Sequence, residues 1–456
     1  MTATGRVRIG VPIIADQGWI GGVQYILHLV TALAKLPEPE RPEIRLILLP
    51  QLAHALKLHE SVLPLVDEVV VWPLDRPELA RPGVRVIPTV EGLFDVVDLV
   101  LPWHRRRALP GRPLACWIPD FQHHHLPQLF PAGDLAARDT MFGFIAREAE
   151  LLVLSSHAAR RDFERFYPGA RPAVRVLPFR AAPEGSWYER EPEAVARKHG
   201  VDGPFLICCN QFWTHKGHDT LVAALGLLRQ RGVTPTLVCT GATTDYRSGD
   251  FFTKLVAAME SENLSANVRL LGLLPREEQI ALVRRSLAVV QPSRFEGWST
   301  VVEDARLLGK TILMSDIDVH LEQAPPHGSY FRVGDAVDLA DQLAALLPTL
   351  APGPDLAREA RARDEAEALL VDYGRRIVAL ARELPAILAG ERASPYEAEQ
   401  ADEALGALPS VGSAASTPAA VPPDVAPLDP KLTSVNVESD GLFRALERIK
   451  ARAGLR

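Results

Sequence analysis

Short apolar runs set the rhythm of the chain. Residues 7–14, 44–49, 68–72, 84–87, 96–101, 114–118, 151–154 and 174–177 are rich in β-branched and apolar side chains, the pattern of strands covered on both faces. Amphipathic stretches at 23–36, 138–148 and 157–166 carry the spacing of helices between them. A second series of apolar runs occupies 205–209, 236–240, 268–271, 288–291 and 311–315, with helices expected near 218–230, 251–262, 276–284, 300–308 and 337–347. This alternation predicts an α/β protein built from two Rossmann-like, doubly wound domains. They are separated by a stretch rich in Pro, Glu and Arg near 180–203, and a long helical pattern follows at 355–388.

From about Gly390 the pattern stops. Residues 391–432 are rich in Pro, Ala and Ser and cannot bury much surface, so 390–439 reads as a disordered tether. Periodicity returns at 440–456, where Leu442, Phe443, Leu446 and Ile449 alternate with Arg444, Arg448, Lys450, Arg452 and Arg456. A basic amphipathic helix of this kind could sit peripherally on an anionic membrane or in a protein partner's groove.

Composition changes this picture in three respects. The 456 residues are 47% hydrophobic, sufficient for two cores, and their net charge of -7 argues against nucleic acid as a partner. Of the fifty basic residues eight are Lys, so each lysine can be weighed individually. Cys116, Cys208, Cys209 and Cys239 form no CxxC pair and read as small buried residues of a reducing compartment. Neither a signal peptide nor a membrane span is evident, and a cytoplasmic protein is expected.

Ligands of doubly wound sheets bind beyond the carboxyl ends of the strands, so the loops there carry the candidate chemistry. Gly21 and Gly22 fall after the first strand, where absent side chains would let backbone N–H groups approach an anion. Lys216 lies in the loop after the strand at 205–209, followed by Gly217. The densest segment, VVQPSRFEGWSTVVEDARLLGK, places Arg294, Glu296 and Gly297 in a loop and starts a helix near Ser299 or Thr300. Thr300 and Glu303 fit a capping box, which leaves Asp304 without a local explanation. The free N–H groups of that helix suit a diphosphate, whereas acidic groups beside it suit sugar or ribose hydroxyls.

Taken together, NQFWTHKGH, PSRFEGWSTVVEDARLLGK and SDIDVHLEQ, preceded by WIPDFQHHHLP, resemble retaining nucleotide-sugar glycosyltransferases of the GT-B type. More narrowly, they resemble the large family that includes many bacterial mannosyl-, glucosyl- and glucosaminyl-transferases, over roughly residues 7–385. The resemblance implies two Rossmann-like domains facing a cleft: an acceptor domain at 1–180, a linker at 181–203 and a donor domain at 204–350. Helices at 351–389 would then cross back to the first domain. It also implies hexosyl transfer from a nucleotide diphosphate sugar to a glycan or lipid-linked acceptor, with no cofactor and no essential metal.

By position, Lys216 matches the family's diphosphate lysine, while the arginine usually found five residues earlier is Gln211 here. Arg294 or His215 is left to supply that charge. Glu296 matches the acidic residue near the donor sugar, Asp304 the one at the ribose, and Gly22 the glycine-rich loop of the first domain. Gly297, Ser299 and Thr300 complete the donor loop. Asp120 and His123 are the polar candidates for the acceptor side, with Pro119 where the family often has His. Adjacent histidines rarely chelate one ion together, so His123, His124 and His125 are not read as a metal site. A nucleotide-sugar epimerase of the same fold and a non-catalytic glycan- or partner-binding protein are the competing readings.

Overall fold

Buried, nearly uninterrupted apolar strands can satisfy their backbones side by side in parallel, and both halves of the chain do so. The computed structural model describes residues 5–390 except 16–17, 105–108, 246 and 248. The tether and basic helix expected beyond Gly390 lie outside the described residues. The first sheet contains β1 (Arg8–Pro12), β2 (Glu43–Leu48), β3 (Glu68–Val71), β4 (Val84–Val86), β5 (Leu99–Trp103), β6 (Leu114–Ile118), β7 (Leu151–Leu154) and β8 (Ala173–Val176). Their order is β4-β3-β2-β1-β5-β6-β7-β8, parallel throughout. The second contains β9 (Phe205–Cys209), β10 (Thr236–Thr240), β11 (Val268–Gly272), β12 (Val289–Gln291), β13 (Ile312–Ser315) and β14 (Gly328–Phe331). Its order, β11-β10-β9-β12-β13-β14, is also parallel. Each order reverses once, between β1 and β5 and between β9 and β12, which is where such sheets open a crevice.

The expected two-domain α/β architecture is therefore present, with local differences. Residue 96 ends a helix, Val90–Val96, capped by the Thr89 hydroxyl, and β5 begins three residues later. Gly21 and Gly22 stand inside the first turn of helix Ile20–Ala34 and not ahead of it. β14 has no apolar run to announce it; Gly328 and Ser329 open it, and pairing with β13 defines it. The stretch read as a linker is ordered. It forms helices Gly185–Glu189 and Pro192–Lys198, and Trp187, Val195, Ala196 and Val201 join the core of the second sheet.

Helix Leu356–Leu388 ties the halves together. Its early residue Ala366 joins the second core, whereas Leu370, Tyr373, Ile377 and Leu384 join the first. Gly374 permits the crossing, since a side chain there would start 2.6 Å from the Ala32 carbonyl oxygen. Two smaller contacts bridge the domains. Glu322, on helix Asp318–Gln323, accepts from the N–H groups of His157 and Ala158 at 2.7 and 3.1 Å, at the start of helix His157–Phe166. The Trp298 indole donates to the Phe179 carbonyl at 3.1 Å.

The helix is held at its start by a buried ion pair. Arg284 donates to both oxygens of Glu359, at 2.7 and 3.0 Å, and to the carbonyls of Trp187 and Arg190 at 3.2 and 3.1 Å. Removing one partner from such a pair leaves an uncompensated buried charge, at a cost of about 3–5 kcal/mol. Glu359→Ala should lower the urea midpoint of the full chain accordingly; an unchanged midpoint would show that the pair does not hold the helix.

Candidate active site

Three loops meet at the carboxyl end of the second sheet, and glycines let them close. Gly217, with φ +72°, has no room for a side chain, whose first atom would lie 2.0 Å from the Pro292 carbonyl oxygen. Gly297 meets the first domain in the same way, 2.2 Å from the oxygen of Pro119 and 3.1 Å from Asp120 Cβ. The loop that carries Glu296 is thereby laid directly against the loop after β6.

Within this junction the Lys216 ammonium donates to both oxygens of Glu296, at 2.7 and 2.9 Å. The pair was separated by eighty residues in sequence and is joined because β9 and β12 flank the switch point. Gln291, fully buried, organises the floor beneath it. Its two amide hydrogens are shared among Glu296 at 3.0 Å and the hydroxyls of Ser293 and Ser299 at 3.2 Å each, and its oxygen accepts from Asn210 at 2.7 Å. Burial alone would raise the Glu296 carboxyl, but the Lys216 charge and the Lys216 and Ser293 hydrogen bonds oppose it, and the carboxyl is held below its ordinary value. His320 is buried behind the pair and accepted by the Ser315 carbonyl at 2.9 Å through Nδ1; burial holds it down to about 4, so it is neutral at pH 7.

The helix after this loop, Thr300–Leu307, is not capped as the sequence suggested. Its N-cap is Ser299, so the box position three residues on is Val302, and Glu303 lies one residue too far. The cap comes from elsewhere: Gln323 accepts from the Ser299 N–H and donates to the Ser299 carbonyl, both at 3.0 Å. Glu303 is buried, accepts from Gln323 at 3.2 Å and faces Arg180 at 3.5 Å. Asp304 is also buried and is held by the Arg276 guanidinium. Thr300 opens the helix, three residues after Gly297.

On the first-domain side, Gly22 makes room for the Trp19 indole, which a side chain would overlap at 2.8 Å, and its N–H donates to the Trp19 carbonyl at 3.1 Å. That amide is used within the turn. Asp120 accepts from the Gln122 N–H at 3.0 Å and from Arg138 at 3.3 Å. His123 turns into its own domain, between His124 and Phe142, where burial chiefly holds it down to about 3. Its neighbour Gln122 crosses instead, accepting from Arg247 of the second domain at 3.1 Å. Asp139 approaches His123 at 3.2 Å and His124 at 3.7 Å, forming the one three-residue group with metal-ligand spacing among the described residues.

Neither candidate for the charge missing at Gln211 is disposed to supply it. Arg294 donates to Asp219 at 2.6 Å, to Thr220 at 3.2 Å and to the Thr214 carbonyl at 3.0 Å, fastening the lysine loop from behind. His215 is buried among Lys216, Arg247 and Arg294; burial and these cations hold it well below the ordinary histidine value. Gln291, Asn210, Gln323, Arg247 and Arg276 were not singled out from sequence. A polar residue ending a buried apolar strand, as Gln291 does, was the available signal for the first of them.

Two parallel, doubly wound domains joined by a crossing helix, with switch-point loops in contact, define a GT-B fold. Residues 189–355 match the model of the family described as glycosyl transferases group 1. The fold as a whole resembles the Anabaena protein HepE, crystallised with UDP and glucose, with a TM-score of 0.54 and 18% identity over 84% of this chain and 100% of that one. A glycosyltransferase from Rickettsia africae gives 0.55 and 14% over 84% and 98%, and WaaG, a glycosyltransferase of lipopolysaccharide biosynthesis, 0.51 and 14% over 84% and 100%. No curated protein matches the chain. No described helix is long and apolar enough to cross a membrane.

The neutral His320 has a measurable consequence. A histidine held to about 4 in the fold but titrating near 6.5 when unfolded binds more protons unfolded, so stability falls as pH drops from 6.5 toward 4. One such group contributes up to ~1.4 kcal/mol per pH unit across that window. His320→Gln should flatten the pH dependence of the unfolding free energy there; a slope equal to that of the wild type would refute the assignment.

Proposed function

We propose that the chain is a retaining, metal-independent glycosyltransferase that moves a hexosyl unit from a nucleotide diphosphate sugar to a glycan or lipid-linked acceptor, as in envelope polysaccharide synthesis. The observation that carries this reading is the Lys216–Glu296 pair at the switch point of a group 1 glycosyl transferase domain. The binding of UDP and glucose by HepE is consistent with a donor of this class.

In this reading the acceptor attacks from the face the diphosphate leaves, and the main catalytic task is to stabilise the departing charge. An ammonium has three donors, so Lys216 can take a phosphate oxygen while it still holds Glu296. Glu296, kept ionised by its surroundings, accepts from sugar hydroxyls, and Asp304 from the ribose. Asp120, near the Gly297 contact, faces the acceptor. Cationic side chains neutralise the diphosphate, and a divalent ion is unnecessary.

Donor turnover tests the reading. Nucleoside diphosphate release should be detectable from one of UDP-, GDP- or ADP-hexoses, with the anomeric configuration of the product retained by NMR and with EDTA without effect. Lys216→Ala should reduce turnover about ten- to hundredfold, the scale of a charge-assisted hydrogen bond. Release of a free epimer without nucleotide loss beyond it would point to an epimerase, and absence of any nucleotide binding would sink the transferase.

A further inference from the structure

The loop after β10 is the third loop at the carboxyl end of the sheet, and it carries a cation that the function so far leaves aside. Gly241, with φ +140°, brings this loop within 2.1 Å of the Asn210 carbonyl oxygen at the place its own side chain would occupy, so it lies against the lysine loop. Arg247 extends from it into the junction of the two domains, with its side chain 3% exposed. One terminal nitrogen donates to Gln122 of the first domain at 3.1 Å, and the other lies 3.3 Å from His215 Nδ1. The backbone N–H and Nε face Asp245 at 3.0 and 3.4 Å, and the guanidinium lies 4.5 Å from the centre of the Trp213 ring.

The chemistry of these partners is informative. A guanidinium has no acceptor, so the His215 nitrogen it meets is the bare one and that imidazole is neutral. His215 is thus a neutral platform flanked by two cations, Lys216 next to it in the chain and Arg247 on its ring. Arg294, by contrast, points its fork at Asp219. A planar fork is the side chain suited to two oxygens of a phosphate, which the amide of Gln211 is not.

We propose that Arg247 supplies the charge absent at position 211 and binds the diphosphate of the nucleotide sugar together with Lys216. The inference rests on the donor reading above. It also makes the site a joint product of both domains, because Gln122 holds the same guanidinium from the opposite side.

Calorimetry on the full-length protein with UDP, GDP and ADP, each against its monophosphate, tests it. For the base that binds, Arg247→Ala should weaken the diphosphate about ten- to hundredfold and leave the monophosphate within about twofold, so that folding is checked by the same titration. Adding Gln211→Arg to that variant should restore at least tenfold of the lost affinity. An Arg247→Ala variant with the wild-type preference for diphosphate, or with equal losses for both nucleotides, overturns the assignment while the donor reading stands. A wild-type protein that binds none of the diphosphates overturns both.

Discussion

An ammonium and a carboxylate half-buried side by side are stable only when each keeps enough partners, and the loops of the second domain are arranged around that requirement. Lys216 and Glu296 satisfy one another, but Glu296 needs a further donor, which Gln291 provides. Gln291 in turn is buried and must satisfy its whole amide, so Asn210, Ser293 and Ser299 are drawn in. A network of this kind fixes the relative heights of the loops after β9 and β12 to within a hydrogen bond. Glycines at 217 and 297 then allow those loops to close without side chains in the way.

Much of the architecture was legible because burial on both faces leaves a continuous apolar signature; β6, β7, β9 and β10 fall on the expected residues. β14 was not, because a strand at the sheet's edge is defined by its neighbour more than by its own residues. The site was legible as types and spacings around Lys216 and Glu296. What stayed hidden were choices of one residue: Glu303 misses the capping position because the N-cap is Ser299 and not Thr300, and Gln122 crosses the domain junction while His123 turns inward. Such choices depend on helical phase and on partners distant in sequence, such as Gln323 for Ser299 and Arg247 for Gln122. No local pattern encodes them.

The two domains also share their apolar cores. Trp298 and Val319 of the second half pack with residues of the first, and helix Leu356–Leu388 contributes to both. The contact at Gly297 and Pro119 is therefore one point of a broader surface, and its geometry is inherited from the scaffold.

Glu322 adds a thermodynamic link of a different kind. The first two amides of helix His157–Phe166 belong to one domain, and the carboxylate that receives them belongs to the other. Negative charge at a helix start stabilises by ~0.3–1 kcal/mol, in addition to the hydrogen bonds themselves. Separation of the domains would hand those amides back to water and leave Ser156 as their neighbouring cap. Folding of that helix and apposition of the domains are thus coupled equilibria: whatever favours one must favour the other, to the same extent.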